Sequence, residues 1–505
     1  MAVVLTVVFV PLTYLVGIAL YRLYFSPLAK FPGPKLAALS KWYEAYFEIV
    51  KNGKFTFQID KLHEQYGPIV RITPQEVHIK DSTFWDTLYV RHPKAHKYEW
   101  MSGRFGNSDS VFTTSDASLH RLRRGALNAM FSKRAILNFE NVVQEKAAIL
   151  CRGIAECKLS GKVLAINDGF GAFSGDVITQ YSFGFSYDHL RSVDFKENLE
   201  AGFKAVSAFG HVTLQFPWVA PLLNYLPDGL VMRMNPQLEK LLQLKKDIRL
   251  ILARLRLSEE KDISLLTHPT IFHNVLSSDL PRCEKTNDRL GDEAQTILGA
   301  GVTTTSWALS HAVYHILSDS EIHSNLRTEL RRVIPDTSAV GAFEYQRLEK
   351  LPYLSACIRE AIRLSLGVAA RNPRVLNEPL VFQNWTIPPN TPVSMTIRDV
   401  HFDEMIWKDA RAFEPERWLG DTPKALNGSS LDKYFVAFGK GPRTCLGINL
   451  AYMELYIALA TVFRCFSLEL YETDASDVDL AHDFFLPSAK LDSKGIRVRV
   501  LETDV

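Results

Sequence analysis

Of the six cysteines in this 505-residue chain, Cys445 alone stands in a frame that suits metal chemistry. It lies in Phe438-Gly439-Lys440-Gly441-Pro442-Arg443-Thr444-Cys445-Leu446-Gly447, directly ahead of an apolar segment, 448–464, with helical periodicity. A helix N-terminus stabilises a thiolate, the form of cysteine that binds metal. Glycines at 441 and 447 let backbone N–H groups approach the sulfur, as the surroundings of a metal-bound thiolate require. Arg443 is placed to pair with a carboxylate of a bound cofactor, and Phe438 to pack against a flat apolar ligand. A lone cysteine is ordinarily a small buried hydrophobe; the fixed spacing of Phe, Gly, Arg, Cys and Gly sets this one apart.

Other segments carry chemistry with a bland reading beside it. Gly299-Ala300-Gly301-Val302-Thr303-Thr304-Thr305 puts glycines and β-branched residues, all poor helix formers, into the middle of a long apolar helix. A local rule broken inside a strong element points to function. Small residues there admit a ligand to the backbone, and the threonine hydroxyls can bond back to the i−4 carbonyls and open the helix. The bland reading is a tight helix crossing. Glu360 and Arg363 share one helix face; taken alone they are a solvated surface pair. His120-Arg121-Leu122-Arg123-Arg124 is, taken alone, a charged surface. The apolar stretch 203–227, with Phe203, Phe209, Phe216, Trp218 and Tyr225, lines a substrate entry or packs a core.

The elements that must position these groups are mostly helical. Helical periodicity covers 134–156, 236–258, 291–318, 320–333, 352–365 and 448–464. Ile69–Ile72 and Val77–Lys80, separated by Thr73-Pro74-Gln75, read as a hairpin, and 380–383, 392–397 and 495–501 read as extended. The fold class expected is mostly α with a small β portion. The run 403–440 is irregular, and a run of that length inside a compact body is usually functional.

Lys and Arg number 58 against 56 Asp and Glu, a net charge of +2, which argues against nucleic acid as the main partner. The cysteines form no C-x-x-C pair, which fits a reducing compartment and gives no zinc framework. Met1–Tyr21 has no charged residue, and Arg22, Lys30 and Lys35 follow it. About 20 helical residues span the hydrocarbon core of a bilayer, and basic residues on one flank place the following chain in the cytosol. Residues 1–22 are therefore expected to be a transmembrane anchor, 23–35 with Phe31-Pro32-Gly33-Pro34 a stiff linker, and 36–505 one large catalytic domain.

The cysteine frame resembles the haem-binding signature of the cytochrome P450 haem-thiolate monooxygenases, F-x-x-G-x-R-x-C-x-G: Phe438, Gly441, Arg443, Cys445 and Gly447 match it, and Ala451 matches a common extension. Three further motifs follow in family order. Glu360 and Arg363 resemble its E-x-x-R. Phe413-Glu414-Pro415-Glu416-Arg417-Trp418 resembles its P-E-R-W segment, and Ala300, Gly301, Thr304 and Thr305 match its oxygen-activation motif. His120 to Arg124 matches W-x-x-x-R with His in place of Trp.

The resemblance implies the cytochrome P450 fold, with haem between the helix 291–318 and the cysteine loop and Cys445 as axial ligand of the iron. His120, Arg124 and Arg374 are implied near a haem propionate, and Glu360, Arg363 and Arg417 as a buried cluster supporting the cysteine loop. Thr304 aligns with the hydroxyl that steadies dioxygen. Thr303 stands where the family usually has a carboxylate, so Thr303 and water must carry protons, or the chemistry is not ordinary hydroxylation.

The implied reaction inserts one oxygen atom of O2 into an apolar substrate. No nicotinamide, flavin, nucleotide or zinc motif is present, so electrons from NADPH are expected through a separate flavoprotein reductase, with a b-type cytochrome as a second donor. Lys440, Arg121 and Arg123 are expected on the docking surface. Phe112-Thr113-Thr114-Ser115-Asp116 and Phe131-Ser132-Lys133-Arg134-Ala135 resemble fungal secondary-metabolism members such as the trichodiene-oxygenase-like group, implying a terpenoid, polyketide or alkaloid substrate. The expected location is the endoplasmic reticulum membrane, single-pass. Two alternatives stand beside this: a haem-thiolate isomerase or dehydratase needing no reductase, suggested by Thr303, and a non-enzymatic haem-binding sensor or membrane scaffold.

Overall fold

The computed structural model describes residues 2–257, 268–339 and 341–504; position 258 of the helix expected over 236–258 lies outside them, as do Met1 and Val505. A helix of 32 residues, Asn287–Ser318, runs through the core. Thr286 caps it by accepting from the Arg289 N–H. Packed against it are Ile166–Phe183, Pro352–Ser365 and Ile448–Cys465, helices whose residues are largely buried. Ile448–Cys465 is long and apolar enough to cross a membrane, but its buried side chains make it a core helix.

The periodic segments appear as Glu239–Leu257, Asn287–Ser318, Ser320–Val333, Pro352–Ser365 and Ile448–Cys465. The segment expected as one helix over 134–156 is two, Lys133–Leu137 and Glu140–Ser160, because the chain turns at Asn138 and Phe139, where Phe139 turns inward and is fully buried. Ile166–Phe183 escapes periodicity altogether. It is buried nearly all round, and its glycines serve close packing: a Cβ on Gly171 would sit 2.6 Å from Glu200 Oε2.

The β portion is small. Ile69–Arg71 and Val77–Ile79 form the expected antiparallel hairpin, Ile69 opposite Ile79. They belong to a five-stranded sheet continued by Pro392–Ser394, Arg374–Val375 and His96–Lys97. Leu380–Phe382 pairs with Trp385–Ile387, and Arg497–Thr503 with Phe466–Leu470. The run 403–440 holds short 3₁₀ turns at Pro415–Trp418 and Leu431–Lys433 and no α-helix. Phe31-Pro32-Gly33-Pro34 is stiff and also docked: Phe31 stacks on Trp385 at 5.1 Å, and Arg71 N–H donates to the Pro32 carbonyl at 2.7 Å. Gly33 approaches the Arg71 carbonyl so closely that a Cβ would lie 2.5 Å from its oxygen.

Candidate active site

The cysteine loop is fixed by its own backbone and by one glycine no other residue can replace. The Cys445 N–H donates to the Phe438 carbonyl at 2.7 Å, closing the loop. Gly441 has φ +73°, and a Cβ there would lie 2.1 Å from the Tyr89 carbonyl oxygen. Gly447 differs: a Cβ on it would meet nothing within 4 Å, so the space beside Cys445 is left open on that side. Phe438 is packed by Tyr452, ring centroids 5.4 Å apart.

Cys445 exposes its side chain to a cavity of about 910 Å3, which it lines. Burial pushes its thiol up; the Gly447 N–H and the Arg124 guanidinium pull the other way. The helix N-terminus favours the thiolate and burial opposes it; a coordinating metal ion deprotonates such a thiol outright.

Five groups that take positive charge surround the same space: Lys97, His120, Arg124, Arg374 and Arg443 line the cavity, and among the described residues none of them forms an ion pair. Arg443 donates to the carbonyls of Thr114 and Ser115 at 2.7 and 2.8 Å, and Arg124 to that of Thr444 at 2.8 Å. Burial and the neighbouring Arg374 and Arg124 push the Arg443 guanidinium down to about 9, with Asp116 opposing them. His120 is pushed to about 3 by burial and by Arg443, and Lys97 falls well below the usual lysine range by burial and by Arg443 and Arg374. Buried cations are ordinarily paired, so this wall is built for an anionic group. Lys97 was not legible in the sequence; only its strand register, opposite Arg374, brings it here.

Behind the loop, Glu360 and Arg363 are fully buried and joined by two hydrogen bonds, Nε to Oε2 at 2.9 Å and Nη2 to Oε1 at 2.7 Å. Arg417 Nε adds 2.9 Å to Glu360 Oε1, and the Trp418 indole 2.8 Å to Oε2. Burial acts to raise the Glu360 carboxyl, but Arg363 and Arg417 hold it below its usual range. His401, which sequence reasoning missed, carries the cluster to the cysteine loop. Its Nδ1 lies 2.8 Å from the Arg363 carbonyl and its Nε2 accepts from the Val436 N–H at 3.0 Å, which places the proton on Nδ1.

On the long helix, Thr304 and, one turn before it, Ala300 open onto the cavity, while Thr303 lines it more deeply buried. Thr303 donates to the Gly299 carbonyl at 2.7 Å and Thr304 to that of Ala300 at 2.8 Å, the expected back-bonds, yet the helix stays unbroken. The glycines pack closely, since a Cβ on Gly299 would come within 2.9 Å of Phe203 and one on Gly301 within 2.7 Å of Ile178. Both also line the cavity, so close packing and access to the helix backbone meet at this segment. Of the aromatic stretch, Phe203 and Phe209 line the cavity, while Trp218 and Tyr225 are exposed on the surface. Arg123 is not on a docking surface: it is buried and paired with Glu284 at 2.6 Å.

A cysteine, a ring of basic groups without ion pairs among the described residues and a threonine-bearing helix lie on one cavity, and these residues fit a haem: Cys445 would hold the iron and the basic wall its carboxylates. The cytochrome P450 family model matches residues 39–494. The chain belongs to the cytochrome P450 family, and it is a monooxygenase close to those of fungal secondary metabolism. It is 50% identical over 497 residues to the cytochrome P450 monooxygenase sdnE of Sordaria araneosa, covering 96% of each chain. It is 43% identical to the tryptophan 6-hydroxylase fscE of Fusarium equiseti, over 96% of this chain and 94% of the other. With the N-acetyltryptophan 6-hydroxylase ivoC of Emericella nidulans it shares 38% over 97% and 95%. The isomerase, dehydratase and sensor alternatives are set aside.

Proposed function

We propose that this monooxygenase is held to the endoplasmic reticulum membrane by its first helix, with the body in the cytosol, and takes NADPH electrons through a separate flavoprotein reductase. The substrate is an apolar terpenoid, polyketide or alkaloid intermediate. The observation that carries the reading is that Cys445 and Thr304 open onto one cavity. Cys445 would hold the haem iron, and the haem, when bound, would supply reductive activation of O2. The chain does the rest. Glu360, Arg363, Arg417 and His401 hold the loop; Lys97, His120, Arg124, Arg374 and Arg443 hold the carboxylates. Phe105, Phe112, Phe203 and Phe485 give the substrate an apolar wall, and the Thr304 hydroxyl holds a proton at its Oγ1.

Support for the anchor comes from the uncharged helix Ala2–Leu20, with Leu12, Tyr14, Leu15 and Val16 exposed, and from the basic residues after it. Protease added to sealed microsomes should digest the catalytic body; full protection, or sugar on the sequon residues Asn384 or Asn427, overturns the topology. Substrate class is read from the metabolites lost when the gene is deleted. Loss of an oxygenated product restored only with an active reductase is expected, and restoration without reductase contradicts the electron route.

A further inference from the structure

Arg104 lines the active cavity but lies in a different charge neighbourhood from the wall of Lys97, His120, Arg124, Arg374 and Arg443. The charges that act on it are Glu48, Asp483, Arg371 and Glu44. Arg104 is 3% exposed, and its stem lies against the helix Glu200–Gln215, where a Cβ on Gly210 would come within 2.6 Å of Arg104 Cγ. The Thr213 hydroxyl donates to the Arg104 carbonyl at 2.7 Å, so backbone and stem are both fixed. The guanidinium itself is poorly satisfied. The His211 Nε2–H is taken by the Asp483 carbonyl at 2.6 Å, which leaves His211 Nδ1 to accept from Arg104 Nη1 at a long 3.5 Å. The Arg104 Nε–H is buried without a partner, and among the described residues Nη2 has none either.

The acids nearby are engaged elsewhere. Asp483 accepts from the Thr56 hydroxyl and, at 2.8 Å, from the Phe485 N–H. Glu48 turns to His211 at 3.3 Å, and burial first, then Asp483 and Glu44, push its carboxyl well above the usual carboxylate range. Arg371 takes Glu44 and Glu76 at 2.6 and 2.8 Å. Two carboxylates on that one guanidinium leave a surplus of negative charge, which favours a charged Arg104 without using its N–H groups. Buried cations are ordinarily paired, yet among the described residues Arg104 has no ion pair. Its guanidinium lies 5.7 Å from the Phe485 ring, which packs edge-on against Phe105 and Phe112 at 5.1 and 5.5 Å. All three rings line the cavity.

We propose that Arg104 binds a carboxylate of the substrate, so that this enzyme oxygenates an organic acid whose apolar body lies on the aromatic wall of Phe105, Phe112 and Phe485. This assignment rests on the monooxygenase reading and adds one acid group to its apolar substrate. A guanidinium fork matches a carboxylate with two parallel hydrogen bonds, whereas a phosphate ester would bring nearly two charges to a single cation. Of the other cations that line the cavity beyond the basic wall, Lys246 and Arg249 are exposed, Lys245 is half-buried and Lys440 stands on the cysteine loop.

The test begins with the metabolite that accumulates in a strain deleted for the gene. Its oxygenation on complementation with the full-length wild type tests the monooxygenase reading by itself. Its charge tests Arg104: the compound should pass from organic solvent into aqueous bicarbonate, as a carboxylic acid does, and a neutral compound overturns the proposal. The acid and its methyl ester are then bound to purified holoprotein at pH 7, with affinity read by equilibrium dialysis. Wild type should prefer the acid at least about tenfold, and equal affinities also overturn the proposal, whether or not any variant folds. Arg104→Gln should bind the acid about 10–100-fold more weakly, the loss expected when a hydrogen-bonded charge pair is broken, and the ester within about twofold of wild type. Arg104→Lys, which keeps the charge and loses the fork, should fall between them. Equal losses for acid and ester in Arg104→Gln would make Arg104 a structural tie to the His211 network and overturn its role as the carboxylate anchor.

Discussion

Lys97 and Arg374 face one another across an antiparallel register, two cations side by side on the wall of the active cavity. Like charges directly opposite destabilise a strand pair. The arrangement makes sense when an anionic group lies between them.

Lys97→Met should therefore act in opposite directions on the two forms of the protein. In haem-free protein it removes repulsion and raises the unfolding midpoint. In holoprotein it removes a carboxylate partner and speeds haem loss to an apo-globin acceptor several-fold. Equal shifts of both quantities in one direction would remove Lys97 from the cofactor site.

The Glu360 cluster predicts a loss of folding rather than of chemistry. Arg363→Ala leaves the fully buried Glu360 with only Arg417 and donors from Trp418 and the Glu414 N–H. Breaking a buried pair from one side costs about 3–5 kcal/mol, so the variant should accumulate little protein with a reduced–CO band. Replacing Arg359, which lies over the Trp418 ring near the surface, should cost far less.

Acid should destabilise the protein partly through His401. The unfolded imidazole takes up a proton near pH 6.5, whereas in the fold it is held neutral down to about pH 3, by burial first and by Arg363 second. Below pH 6.5 the unfolded chain binds more protons, so stability falls as pH falls, by up to about 1.4 kcal/mol per unit for each fully desolvated histidine. His401→Gln, which keeps a donor and an acceptor, should flatten this slope between pH 6.5 and 4 in urea unfolding curves. An unchanged slope would show that His401 is charged in the fold.

Much of the site was legible because its parts are short and local. The cysteine frame, Glu360 with Arg363, and Thr304 are each set by spacing within one helix or loop. What the sequence did not reveal depends on contacts between distant segments. Lys97 reaches the site through a strand register, and His401 through a backbone carbonyl of Arg363 and the Val436 N–H. Arg123 shows the reverse failure: in the sequence it looks like its exposed neighbour Arg121, and only the fold buries it against Glu284. Ile166–Phe183 was missed because a helix buried on all sides has no polar face to give it a period.

Reductase docking should accordingly depend on Lys440 and not on Arg123. Lys440, on the cysteine loop, remains partly exposed beside Asp86. Lys440→Glu should raise the apparent KM for reductase, more strongly at low salt. Arg123→Glu should instead reduce the amount of folded holoprotein. If Arg123→Glu changes only the reductase KM, the buried pairing with Glu284 is wrong.

Thr304 opens onto the cavity with a hydroxyl that, among the described residues, bonds only to the Ala300 carbonyl. Thr304→Ala should keep NADPH consumption while peroxide replaces product, and Thr304→Ser should keep most of the coupling. Equal product-to-NADPH ratios in wild type and Thr304→Ala would take this hydroxyl out of the proton path.

The most direct measurement is the reduced–CO difference spectrum of Cys445→Ser beside wild type, on the same quantity of folded protein. Wild type should show the band characteristic of thiolate-ligated haem, and the variant should lose both that band and all product. A normal thiolate band in Cys445→Ser would contradict the assignment of Cys445 as the ligand, and with it the active site described for this chain.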